Sequence, residues 1–149
     1  MPQRKRFVIL RGFGAALAGY VAIILATTAG FTPLGGLIHL SAPPRVQLLA
    51  TLVALAAGLL GGMVAAWLGG RSPVLHALGT TAFVAAESTL VIGFKPSVDP
   101  LWFDLAGAAT LIAATVAGGW LWRLLARRRA GRPQLNGGGA GRERSRNAS

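Results

Sequence analysis

Apolar residues run almost unbroken through four stretches of this chain, 7–30, 46–70, 73–93 and 101–125, and polar residues gather in the short gaps between them and at the two ends. Each run is too long for a strand and long enough for a spanning helix, because about 20 residues at about 1.5 Å each cover a hydrocarbon core of about 30 Å. The pattern predicts an all-α fold, an integral membrane bundle of four transmembrane helices. The first run is broken only by Arg11 near its start. Its rival reading is a cleavable signal peptide, since a basic segment precedes it and Thr27, Thr28 and Ala29 are small, but a cleaved apolar region is usually only about 7–15 residues.

The gaps carry the signals that end and restart helices. Pro33, Gly35, Gly36, Pro43 and Pro44 predict a loop over 31–45 with one interfacial turn around 34–40. The second run closes on Trp67, Gly69, Gly70 and Arg71, and Ser72 and Pro73 follow at once as an N-cap and first helical residue. The second and third helices are thus expected to form a tight antiparallel hairpin. Lys95 to Val98 make the next turn, and Asp99 and Pro100 repeat the cap-then-proline start. Trp102 and Phe103 at one end of the last run, and Trp120 and Trp122 at the other, suit two membrane interfaces.

The net charge of +11 resembles that of a nucleic-acid binder until its positions are read. Cations sit at Arg4, Lys5, Arg6 and Arg11, at Arg71, and from Arg123 to Arg146 through Arg127, Arg128 and Arg129, with only Arg45 and Lys95 elsewhere. Short loops rich in Lys and Arg stay cytoplasmic, so Arg4, Lys5, Arg6, Arg71 and Arg127 to Arg129 place both termini and the 71 turn inside. No aromatic or groove-reading element accompanies the basic tail, so nucleic acid is not its expected partner. Anionic lipid headgroups are, at about 1 kcal/mol per cation near the surface. Residues 1–126 read as the transmembrane domain and 127–149 as a disordered basic cytoplasmic tail, too polar to fold.

Helices in lipid associate through close backbone approach between small residues, not through apolar burial. The second run has a doubled small stripe, with Ala54, Gly58, Gly62, Ala66 and Gly70 beside Ala57, Gly61, Ala65 and Gly69. This places Gly58, Gly61, Gly62, Ala65, Ala66 and Gly69 at the bundle centre. Single stripes are expected at Gly14, Ala18, Ala22, Ala26 and Gly30 of the first helix, at Ala77, Thr81, Ala85, Thr89 and Gly93 of the third, and at Ala106, Thr110, Ala114 and Gly118 of the fourth. A Gly-Gly pair recurs, Gly61/Gly62 and Gly118/Gly119, as does Gly-Phe-x-Pro at Gly30 and Gly93. Two readings stand: a parallel repeat of two hairpins, as small transporters use, or the recurrent chemistry of helix ends.

Little else bears chemistry. The chain has no cysteine and two histidines, His39 and His76, which leaves a zinc or haem site short of ligands. No cofactor or metal is expected. Glu87 is the ionisable residue well inside a span, where a bare charge costs several kcal/mol. It is read either as a functional carboxyl for a proton, a cation or a substrate, or as a neutral acid bonded to a helix carbonyl or to Thr27, Thr28 or Ser88. Asp104 suits the positive end of the fourth helix. Glu87, Asp104 and His39 together form the one candidate intramembrane polar site. His76 is expected as a headgroup or helix-end contact, because no nucleophile or acid accompanies it.

The segment Gly61-Gly62, Ala65-Ala66, Leu68, Gly69, Arg71, Pro73 and Leu75-His76-Ala77 resembles one found in uncharacterised small four-helix bacterial inner-membrane proteins. Where those carry a basic doublet in the turn, this chain has Arg71 alone. The resemblance covers about a third of the chain and implies topology and a bacterial inner-membrane location, but no activity. The expected function is that of a non-enzymatic structural or accessory membrane component, partnered by lipid and by copies of itself or another membrane protein. The alternative is a small proton- or cation-coupled transporter acting through Glu87.

Overall fold

The structure, a computed structural model, describes residues 2–35, 39–70, 72–94 and 99–130, with side chains over 9–129. Arg71, Lys95 and residues 131–149 lie outside the described residues, as do the side chains of Arg4, Lys5 and Arg6. The described residues form four helices, α1 (Pro2–Phe31), α2 (Pro44–Gly69), α3 (Pro73–Phe94) and α4 (Leu101–Ala130), with a 3₁₀ turn at Thr32–Leu34 after α1. All four are long and apolar enough to cross a membrane. A lipid-embedded backbone must satisfy its N–H and C=O groups within the segment, which makes continuous helix the stable form of such runs.

Several boundaries differ from the sequence reading, beginning with α1, which starts at Pro2 ahead of its apolar run. Pro44 does not break a helix; it is the first residue of α2, after Pro43 in an extended conformation (φ −55°, ψ 144°). A proline is well placed there, since the first helical N–H has no partner to lose. At the other end, α4 continues through Arg127, Arg128 and Arg129 to Ala130, so the first residues assigned to the tail are helical. Three cations in a last turn offset the negative end of the helix dipole, which is why the helix outlasts its apolar run. Between α2 and α3, Gly70 takes a positive φ of 74°. The Ser72 carbonyl then accepts the N–H of His76 at 3.3 Å to open α3.

Around the bundle the order is α1, α2, α4, α3; α2 also touches α3 across the middle, while α1 and α4 stand at far corners. Sequential neighbours are antiparallel. The parallel pairs keep register: Ala16 of α1 meets Thr80 of α3, and Gly58 and Gly62 of α2 meet Thr115 of α4. The two hairpins therefore lie side by side. A two-fold axis relating them would make α1 pack on α4 as α2 packs on α3, and it does not.

Size is distributed inside out. The buried side chains are mainly alanines, among them Ala15, Ala16, Ala57, Ala65, Ala66, Ala77 and Ala114, with Ile23 and Val84. Leu25, Leu48, Leu60, Leu75, Leu90 and Leu105 are each more than half exposed. Lipid solvates leucine as well as a core does, so the interior is given to residues that let backbones approach. On α2, Ala57, Gly58, Gly61, Gly62, Ala65 and Ala66 are all buried. A Cβ on Gly61 would meet the Ile23 side chain and the Gly19 carbonyl of α1, and one on Gly62 would strike the Thr115 carbonyl of α4. Gly118 of α4 lies equally tight against the Leu59 carbonyl. Gly62 and Gly118 are thus the two sides of one α2–α4 crossing, while Gly61 faces α1 and Gly119 faces Ala77 of α3, so each Gly-Gly pair serves two neighbouring helices at once.

The other helices bury faces that match the expected stripes only in part, at Ala77 of α3 and at Ala114 and Gly118 of α4. On α1 the buried residues are Ala15, Ala16, Gly19 and Ile23, while Gly14 has open space around it. On α3 they are Ala77, Thr80 and Val84, with Thr81 turned to the Leu78 carbonyl of its own helix. On α4 they are Ala114, Thr115, Gly118 and Gly119, and Ala106 is exposed. Both buried hydroxyls are satisfied by helix carbonyls, Thr80 donating across to Ala16 at 3.0 Å and Thr115 to Leu111 at 2.8 Å.

Because the carbonyl facing Gly62 belongs to backbone that cannot yield, Gly62→Ala is expected to destabilise the protein by about 1–3 kcal/mol. Gly107→Ala, in open space on α4, should be neutral or slightly stabilising. Thermal unfolding in detergent measures both; equal effects of the two would refute the assigned crossing.

Candidate functional site

Polar side chains collect at three places on the rim of the bundle. The first is the seam between α1 and α3. Phe83 of α3 lies between Phe13 and Tyr20 of α1, its ring 5.6 Å from each. One turn further along α3, the Glu87 carboxyl lies close enough to the Tyr20 hydroxyl of α1 to interact with it. Glu87 is exposed on the outer surface, roughly 10 Å before the end of α3 at Phe94. Across the seam its neighbour is a phenol on α1, a partner that the sequence reading did not consider. Tyr20 is the chain's single tyrosine and sits mid-helix, away from either interface where tyrosines usually gather. That position was the available signal for it.

The second place is the end of the bundle away from the termini, where the α1–α2 and α3–α4 connections meet. His39 Nδ1 donates to Asp99 Oδ2 at 2.9 Å, and the Leu40 backbone N–H donates to Asp99 Oδ1 at 2.9 Å. The Gln47 amide secures the same loop from α2, donating to the carbonyls of Leu40 at 2.7 Å and Ala42 at 2.9 Å. Asp99, expected only as a helix cap, thus clasps one connection to the other. The Leu40 N–H first, and then His39, hold its carboxyl below the usual carboxylate range. Asp104 stands half-exposed in the first turn of α4. Among the described residues no hydrogen bond or ion pair joins Glu87, His39 and Asp104 to one another, because His39 turns to Asp99 and Glu87 to Tyr20.

The third place is the end that carries the termini. His76 is half-buried, its ring wedged against Gly69 of α2 and Gly12 of α1, and its Nδ1 donates to the Ser72 carbonyl at 2.7 Å. The absence of side chains at both glycines makes room for the imidazole, so His76 is a packing wedge between three helices. Arg123 lies over the Trp120 ring at 5.6 Å and borders a shallow cleft of about 250 Å³ with Ser72, Pro73, Val74 and Leu75. Arg127, Arg128 and Arg129 are exposed beyond it. No group of three or more His, Cys, Asp or Glu residues converges among the described residues. Comparison with protein-family models, curated proteins and solved structures finds no match to this chain.

The Asp99 clasp has a definite pH sign. Since folding lowers its pKa, the carboxylate contributes stability that is complete above its ordinary value of 3.8. That contribution is lost as pH falls through the lower folded value. Asp99→Asn should therefore lower the thermal midpoint near neutral pH, and the gap from the wild type should close in strong acid. A gap that stays constant from about pH 7 to about pH 2 would show that the carboxylate does not hold the two loops together.

Proposed function

We propose that this chain is a non-enzymatic, multi-pass integral membrane protein, a structural or accessory component of a bacterial inner membrane with both termini in the cytoplasm. The observation that carries the reading is the packing itself. The centre between α1, α2 and α4 is filled by backbone and by alanine, leaving the ionisable side chains on the rim. Such a bundle has rigid helices and a lipid-matched surface, which suits a component that occupies a place in the membrane. Arg11, Arg123 and Arg127 to Arg129 fall at the end assigned to the cytoplasm, where anionic headgroups attract cations.

A second reading, a proton- or cation-coupled transporter acting through Glu87, draws on the contact between Glu87 and Tyr20. An acid and a phenol side by side within a span can pass a proton. In that case the path runs along the outer α1–α3 seam.

Flux of protons and monovalent cations into proteoliposomes decides between them. The first reading expects flux no greater than in protein-free vesicles, for the wild type and for Glu87→Gln alike. Wild-type flux that Glu87→Gln abolishes would contradict it and establish the transporter.

A further inference from the structure

We infer that the α1–α3 face is a homodimer interface, in which Glu87 of two copies meet across an axis running along the membrane normal. The starting point is an imbalance. Glu87 is exposed on the outside of the bundle, at a depth where the surrounding surface, including Val21, Ile24 and Leu90, is apolar. Within the chain Glu87 interacts with the Tyr20 hydroxyl of α1, whereas a carboxyl offers several donor and acceptor positions. Lipid tails can fill none of the rest. Something polar must cover them at that depth.

A second copy meets the requirement without further conditions. Rotation about an axis normal to the membrane keeps every residue at its own depth, so Glu87 and Tyr20 of the two copies arrive level with each other. A carboxyl carrying its proton has both a donor and an acceptor and is complementary to itself. Two acids and two phenols can then close a small hydrogen-bonded cluster sealed from lipid. The shape of the surface allows the approach, because Ala82 and Ala86, one turn apart on α3 and beside Glu87, are both exposed. Small residues four apart let a neighbouring helix come close. Arg11 and Arg123 stand near the opposite end of the bundle and Arg45 at the start of α2; none of them forms an ion pair with Glu87 among the described residues, and the match this chain offers is acid to acid.

The inference rests on the membrane reading of the four helices, and the test separates the two. The natural chain has no cysteine, so single cysteines report cleanly on the full-length protein in liposomes. Ala86→Cys is expected to form a disulfide-linked dimer on mild oxidation, and Ala109→Cys, on the exposed face of α4, is not. Energy transfer between donor- and acceptor-labelled copies should fall at least tenfold in apparent affinity for Glu87→Leu. It should be retained in Glu87→Gln, whose amide is also self-complementary. Because the site is exposed, Glu87→Leu should keep the wild-type helical content by circular dichroism, and the Ala86→Cys result does not depend on that variant. Failure of Ala86→Cys to crosslink, or undiminished association of Glu87→Leu, would overturn the dimer while leaving the membrane reading intact. Release of the wild type from membranes by alkaline carbonate would overturn both.

Discussion

The close approach of α2 to its neighbours is the constraint on which the rest of the structure depends. Gly19 of α1 and Gly61 of α2 face each other, and Gly58 and Gly62 of α2 face Leu111 to Gly119 of α4. At these points backbone meets backbone. Apolar burial does not drive helices together in lipid, so dispersion and weak backbone contacts accumulated along such crossings have to do it. The register of the bundle follows. Once Gly62 is seated on Thr115 and Gly118 on Leu59, α2 and α4 are fixed along their length, and the short turn between α2 and α3 fixes α3 in turn.

The same constraint explains where the polar chemistry lies. A centre reserved for glycine and alanine has no room for a carboxyl or a ring, so larger polar side chains are displaced to seams and ends. His76 fits only because Gly12 and Gly69 leave space for it. Thr80 and Thr115 are tolerated inside because each hydroxyl is spent on a helix carbonyl. Glu87 is left on an outer seam with Tyr20, and Asp99 is left to tie together the loops that the helix crossings do not reach.

What could be read from the sequence follows from these causes. Four helices and their approximate limits were legible because a run of apolar residues long enough to span a membrane is a strong signal. The packed face of α2 was legible because its small residues are doubled, so either register of the stripe points the same way. On α1, α3 and α4 small residues occur on every side, and lipid makes large residues acceptable anywhere outside. Gly14 therefore looked as well suited to packing as Gly19, and Thr81 as well as Thr80. Pro44 and the arginines at the end of α4 were misread for a local reason: residue type suggested a break, where position made them a helix start and a helix end. The His39–Asp99 and Tyr20–Glu87 contacts join distant parts of the chain and leave no local pattern.

The claim that one α2–α4 crossing organises the molecule is tested most directly by a double-mutant cycle on Gly62→Ala and Gly118→Ala, read by unfolding free energy in detergent. Both added methyl groups act on the same crossing. Once the first has pushed the helices apart the second should cost less, and the double variant should fall short of the sum by at least about 0.5 kcal/mol. Strict additivity would mean that the two glycines act separately and would contradict the account.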